Sequence, residues 1–133
     1  MTLEKINPGT LSTPHGHAHV VVATGSKMVF ASGQVAIDPA EELLADDYEG
    51  QGYHAVANGY LAIAAAGAGP REVVRMTVYV VDPTPAHLEK LFAGLVRAVK
   101  DAGGSTAAMT LVGITGLYRP DLVVEVELTA VTD

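Results

Sequence analysis

Cysteine and tryptophan are absent from the 133 residues, and only five Tyr and two Phe supply aromatic side chains. Without cysteine there is no disulfide, no thiolate nucleophile and no sulfur ligand for a metal, a usage that fits a cytoplasmic protein. The opening Met1-Thr-Leu-Glu-Lys-Ile-Asn-Pro8 has no basic stretch followed by an apolar core, so no signal peptide is expected. Long apolar runs are missing too: the longest, Leu61–Gly69, is too short and built of residues too small to span a bilayer, and no membrane partner is expected. Basic residues are scarce, 8 Lys and Arg against 15 Asp and Glu, which gives a formal charge of −7. Sequence-independent nucleic-acid binding relies on Lys and Arg neutralising phosphates, so nucleic acid is not an expected partner.

What the chain has instead is Ala, Val and Gly, in a composition that is 49% hydrophobic. That is enough for one domain, residues 1–133, with a core of small side chains under closely packed helices. Residues 1–16 are rich in breakers, with room for a short edge strand at Glu4–Ile6. His17–Ala23 and Lys27–Gln34 read as two Val-rich strands, and Thr24-Gly-Ser26 between them reads as a hairpin turn. A helix follows, capped by Asp46 or Asp47. Its Tyr48, Gly52, Ala55, Gly59, Ala62 and Ala66 recur at three- and four-residue spacing, a small-residue stripe that permits close packing. Gly67-Ala-Gly-Pro70 ends it.

Glu72–Asp82 reads as a strand with Val74, Met76, Val78 and Val80 on one face and Val73, Arg75, Thr77, Tyr79 and Val81 on the other. Apolar residues on both faces predict that both are covered. Thr84-Pro85 opens a second helix, whose buried stripe is Leu88, Leu91, Phe92, Leu95 and Val99. The last 25 or so residues read as two strands joined by a turn at Tyr118-Arg-Pro-Asp121. In the second, Val124, Val126, Leu128 and Ala130 point one way, Glu125, Glu127 and Thr129 the other. Two like charges on one face repel, so that face meets water, a cation or a ligand. The fold class is therefore α+β: a mixed sheet of five or six strands with two helices on one face. The other face, with Glu125, Tyr79, Arg75, Ser32, Phe30, Val73 and Val81, is left open in a monomer, and symmetric assembly is the simplest way to cover it.

Ile6-Asn-Pro8, Ser32-Gly-Gln34, Gln51 with Asn58, Ala65-Ala-Gly67, Val78-Tyr-Val80 with Asp82, and Val124-Glu-Val-Glu127, in that order, resemble the Rid family of reactive-intermediate deaminases (RidA-like, YjgF-like). The resemblance covers nearly the whole chain. It implies a chorismate-mutase-like fold, a homotrimer whose sheets close into a barrel with helices outside, and small-molecule sites in clefts between subunits. It also implies hydrolysis of enamines and imines released by pyridoxal-phosphate enzymes, to a 2-keto acid and ammonia, with no cofactor and no metal. The chain departs from the family pattern at one functional stretch. Where deaminases carry Pro-Ala-Arg-Ser, this chain has Ala107-Ala-Met-Thr110, so Met109 stands in place of the carboxylate-binding arginine. Methionine offers neither charge nor a bidentate donor. The next family triplet, Val-Glu-Val, is Val112-Gly-Ile114.

The candidate site follows. Glu125 matches the position associated with the catalytic water and is the expected acid–base group. His17, or His19 one alternation on, matches the pocket tyrosine, and a neutral imidazole can both give and accept a proton near neutral pH. Ser32, Gly33, Phe30 and Met109 line the pocket. His15, His17 and His19 would share one face of a strand and have metal-ligand spacing, against the plainer reading of a partly solvated entry strand. Arg75 and Arg119 are candidate substitutes for the missing guanidinium, or simple surface charges. Gln51 and Asn58 are assigned to helix packing or interface hydrogen bonds. Ser32 has no base near it in sequence, so a serine nucleophile is not expected. The expected function is an imine or enamine deaminase, or a tautomerase or cyclase using the same groups. A catalytically silent trimer that binds a metabolite is the alternative, favoured by the lost arginine and opposed by the retained Glu125.

Overall fold

The computed structural model describes residues 1–133. In chain order the elements are β1 (Thr2–Ile6), β2 (Val20–Thr24), β3 (Lys27–Gln34), α1 (Tyr48–Ala64), a 3-10 turn (Pro70–Glu72), β4 (Val73–Val81), α2 (Pro85–Asp101), β5 (Ala108–Ile114) and β6 (Val124–Thr132). The main sheet runs β3-β6-β4-β5, with β4 and β5 parallel and the other neighbours antiparallel. Both helices cover one face of it, as the sequence implies. Val124, Val126, Leu128 and Ala130 of β6 are buried on that face together with Val78 and Val80 of β4 and Ala55, Val56 and Ile63 of α1. No helix is long and apolar enough to cross a membrane.

The strand pairing differs from the sequence reading in three ways. The expected hairpin between β2 and β3 does not form, and the sheet has four strands instead of five or six. β2 pairs with β1 in a separate two-stranded ribbon, while β3 pairs with β6. A tight hairpin turn needs positive φ at its central residues, and none of Thr24, Gly25 and Ser26 adopts it. Gly25 instead lies flat against the end of β6, where a Cβ would meet the Val131 side chain at 2.7 Å and the Thr132 carbonyl at 2.8 Å. Secondly, β5 and β6 are consecutive but not paired, because β4 lies between them. Thirdly, Val73 belongs to the core and not to the open face. A bulge between Val73 and Arg75 moves Val73 opposite Ala130, where it is buried.

The helices behave as their residues dictate. Asp47 caps α1, its carboxylate accepting from the Gly50 N–H at 2.9 Å, and Thr84 caps α2 by accepting from the His87 N–H at 3.2 Å. The small-residue stripe brings the helices into close contact. Gly52 faces Leu91, Gly59 faces Leu128, and Gly94 of α2 sits on the α1 backbone, where a Cβ would fall 2.0 Å from the Glu49 carbonyl oxygen. α1 also fixes the loops that flank the sheet. The buried Gln51 amide donates to the Asp121 carbonyl and accepts from the Val123 N–H, both at 2.8 Å. The Asn58 amide donates to the carbonyls of Val35 and Ile37. Two side chains thus set the start of β6 and the end of β3. Phe92 departs from its expected burial: it is 40% exposed, because α2 rests on α1 and stands off β4 and β5.

Candidate functional site

The residues expected to form one pocket fall into two groups on opposite faces of the sheet. The first group lies on the open face. Glu125 stands opposite Tyr79 of β4, half-buried, and takes part in none of the chain's three ion pairs. A bulge between Ala31 and Gln34 brings Gly33 against it, while Ser32 is exposed. The Gly33 Cα is so close that an added Cβ would fall 2.3 Å from Glu125 Oε1. Only glycine leaves the carboxylate that position. One repeat along β6, Glu127 accepts a 2.6 Å hydrogen bond from the Tyr79 hydroxyl. That bond first, then burial and the two carboxylates, push the Tyr79 phenol up, with Arg75 opposing. Glu127 is thereby tied into the sheet. Arg75 donates to the Thr110 hydroxyl at 2.8 Å. Phe30, 70% exposed, borders a hollow of about 210 Å³ with Arg75 and Glu127.

The second group lies on the helix face. Met109 pairs with Met76, which pairs with Leu128, so its side chain belongs to the core side of the sheet and not to the side of Glu125. Between α2 and strands β4 and β5 there is a cavity of about 1000 Å³, and both Met109 and His17 line it. Burial of Tyr60, whose ring also lines this cavity, pushes its phenol up to about 12.

The expected strand at His17–Ala23 starts only at Val20. Gly16, at φ 75°, breaks the extended chain, so the alternation of His15, His17 and His19 on one face does not occur. No three His, Asp or Glu side chains converge as metal ligands. His19 is engaged in the loop before β2: its ring nitrogen Nε2 lies 2.6 Å from the Ser12 carbonyl and its backbone N–H donates to Asn7 Oδ1. His17 sits edge-on to it, ring centroids 5.3 Å apart. Arg119 is bound by Asp121 and by the Glu41 carbonyl, which fixes the turn before β6 and leaves it no free guanidinium.

Sequence reading did not single out the cavity itself. Phe92, Leu95 and Val99 have ordinary core spacing, and nothing in their pattern tells a filled core from a hollow one. Lys100 and Tyr60 at its rim and wall likewise carry no local signal.

A two-layer α+β chain with an uncovered, carboxylate-bearing sheet face and a bulge that seats Gly33 on Glu125 is the class defined by fold and site. Residues 11–132 match the family described as Endoribonuclease L-PSP. A Rid-family protein of unknown function, YyfB from Yersinia pestis, is 33% identical over 98% of this chain and 99% of its own, with a TM-score of 0.88. The chain belongs to this family, the Rid or YjgF family. Two more distant structures share the fold. TdcF from E. coli with bound serine is 24% identical, with 92% and 91% of the two chains covered and a TM-score of 0.72. The E. coli YjgF gene product is 22% identical, with 86% and 87% covered and a TM-score of 0.70. Among curated proteins none matches.

Proposed function

We propose that the chain is a small-molecule enzyme of Rid type, acting on an imine, an enamine or a related tautomer in a cleft that a second copy completes. The observation that supports this most is the seating of Glu125: a half-buried carboxylate outside every ion pair, against a glycine backbone that leaves room beside it. An unpaired carboxylate at such a place can accept a proton from water and return it. The reaction balances with water alone. Glu125 takes a proton as water oxygen adds to the imine carbon and passes it to nitrogen, giving a carbinolamine. It then relays the hydroxyl proton of that carbinolamine to nitrogen as the C–N bond breaks. Ammonia leaves and a carbonyl compound remains. An enamine requires one earlier step, protonation at carbon. Because His17 and Met109 lie on the opposite sheet face from Glu125, one chain does not assemble the whole set. A cleft between copies would bring one chain's Glu125 group to another's His17 group.

Replacing Glu125 by Gln keeps shape and most hydrogen bonding but removes the exchangeable acid. The expected result is a loss of turnover on the order of 10²–10⁴, with assembly unchanged, in a coupled assay of 2-keto acid release. Because Met109 cannot hold a carboxylate, 2-aminoacrylate should turn over slowly beside a family member that keeps the arginine. A Glu125→Gln protein as active as the wild type would sink the mechanism and make His17 the next residue to test. A chain that binds but never turns over would instead be the metabolite-binding trimer, the reading that the missing arginine favours.

A further inference from the structure

The cavity beneath α2 is larger than small amino-acid imines require. Its volume, about 1000 Å³, is at the upper end of the range for small-molecule sites. Its walls are mainly apolar: Met76 and Leu95 are buried at its base, while Met109 and Leu111 of β5 form the floor. Phe92 and Val96 of α2, 40% and 60% exposed, stand at the opening. Large apolar side chains left this exposed around a hollow favour an apolar occupant.

The polar part of the lining is small: His15, His17, Lys100, Ser105 and Thr106. Lys5 donates to the Thr106 hydroxyl at 3.2 Å. Burial lowers the Lys5 ammonium, and the nearby positive charge of Arg71 lowers it further. Of the eight Lys and Arg residues only Arg119 is in an ion pair, so Lys5, Arg71 and Lys100 are cations without a carboxylate partner, in a chain of formal charge −7. An unpaired lysine in the lining of an apolar hollow, with Lys5 reaching Thr106 of the same lining, is complementary to a molecule with an apolar body and an anionic head.

Resting on the enzymatic reading, we propose that this cavity selects the substrate class: imines or enamines with a bulky aromatic or branched apolar side chain, whose carboxylate is held by Lys100. The apolar side chain lies between Phe92, Val96 and the Met109–Leu111 floor. Lys100 then supplies the charge that Met109 lacks, from a helix and not from β5. Met109 in place of arginine widens the apolar floor instead of merely removing a contact.

The test uses non-reacting keto compounds and the assembled protein. Binding of phenylpyruvate, pyruvate and the neutral ketone 4-phenylbutan-2-one is measured by titration calorimetry. Phenylpyruvate should bind at least about tenfold more tightly than pyruvate, since burying an aromatic ring is worth more than the methyl it replaces. Lys100→Gln, at an exposed position, should weaken phenylpyruvate several-fold and leave 4-phenylbutan-2-one unchanged. Val96→Trp, also exposed, should fill the opening and weaken both. Equal affinity for pyruvate and phenylpyruvate, no detectable phenylpyruvate binding, or a Lys100→Gln protein that binds phenylpyruvate as before would overturn the proposal. So would a Val96→Trp protein that loses assembly but keeps phenylpyruvate binding, which would make the cavity a seat for a neighbouring copy. The two readings fail separately. Phenylpyruvate bound without any turnover would overturn only the enzyme, and turnover of short imines without phenylpyruvate binding would overturn only the cavity's role.

Discussion

Glu125 and Glu127 are two residues apart on one strand face and have different surroundings. Glu127 receives the Tyr79 hydroxyl and is part of the sheet's own bonding. Glu125 has the Gly33 backbone beside it, and its position depends on the absence of one methyl group. Tyr60 shows the same dependence on surroundings with a measurable pH consequence. Burial raises its phenol from 10.0 to about 12, so the folded state holds the proton more tightly than the unfolded chain does. The stability this contributes is complete below the unfolded value and is lost as pH rises from about 10 to about 12. Urea midpoints measured across that window should fall with pH, and Tyr60→Phe should flatten the fall. An unchanged slope in Tyr60→Phe would show that another group titrates there.

At the scale of elements, the decisive contact is the crossing of α1 and α2. Gly94 is packed on backbone atoms of α1, which cannot rotate away as a side chain end can. Gly94→Ala must therefore separate the helices or bend one of them. Overpacking of this kind costs about 1–3 kcal/mol or more, and the rigid neighbour places this site at the upper end. The measurement is a denaturant midpoint. A midpoint within experimental error of the wild type would mean that the helices cross less closely than the structure shows. Because α2 is braced on α1 and not on β4 and β5, the cavity lies under the less supported side of α2. The same substitution should therefore weaken phenylpyruvate binding as well as stability.

At the scale of the molecule, one chain leaves too much apolar surface uncovered. Met28 and Phe30 of β3 are 63% and 70% exposed, and Val20 and Val22 of β2 are 40% and 46% exposed. Both runs lie on edge strands, where unpaired backbone groups also favour a partner. The expected assembly is a closed trimer that covers the Glu125 face and brings it to a neighbour's His17. Light scattering at micromolar concentration should report three times the chain mass of 13.8 kDa. A stable monomer would remove the intersubunit cleft and with it the proposed site.

Much of this protein is set by local chemistry and is legible in the chain alone. Alternation in Val124–Ala130 gives β6 its two faces, Asp46 or Asp47 and Thr84-Pro85 start the helices, and the small-residue stripe of α1 allows close packing. The ordered motifs from Ser32-Gly-Gln34 to Val124-Glu-Val-Glu127 carried the family as well. Which strands pair is a property of the tertiary structure. β2 joins β1, and β4 separates β5 from β6, since pairing depends on partners distant in the chain and not on the residues of the turn. The bulges at Val73–Arg75 and Ala31–Gln34 are equally non-local, yet one moves Val73 into the core and the other brings Gly33 to Glu125. The separation of Met109 from Glu125 by the thickness of the sheet follows from that pairing. The cavity under α2 does too, because a periodic apolar stripe predicts a buried face but not how closely the opposite wall approaches it.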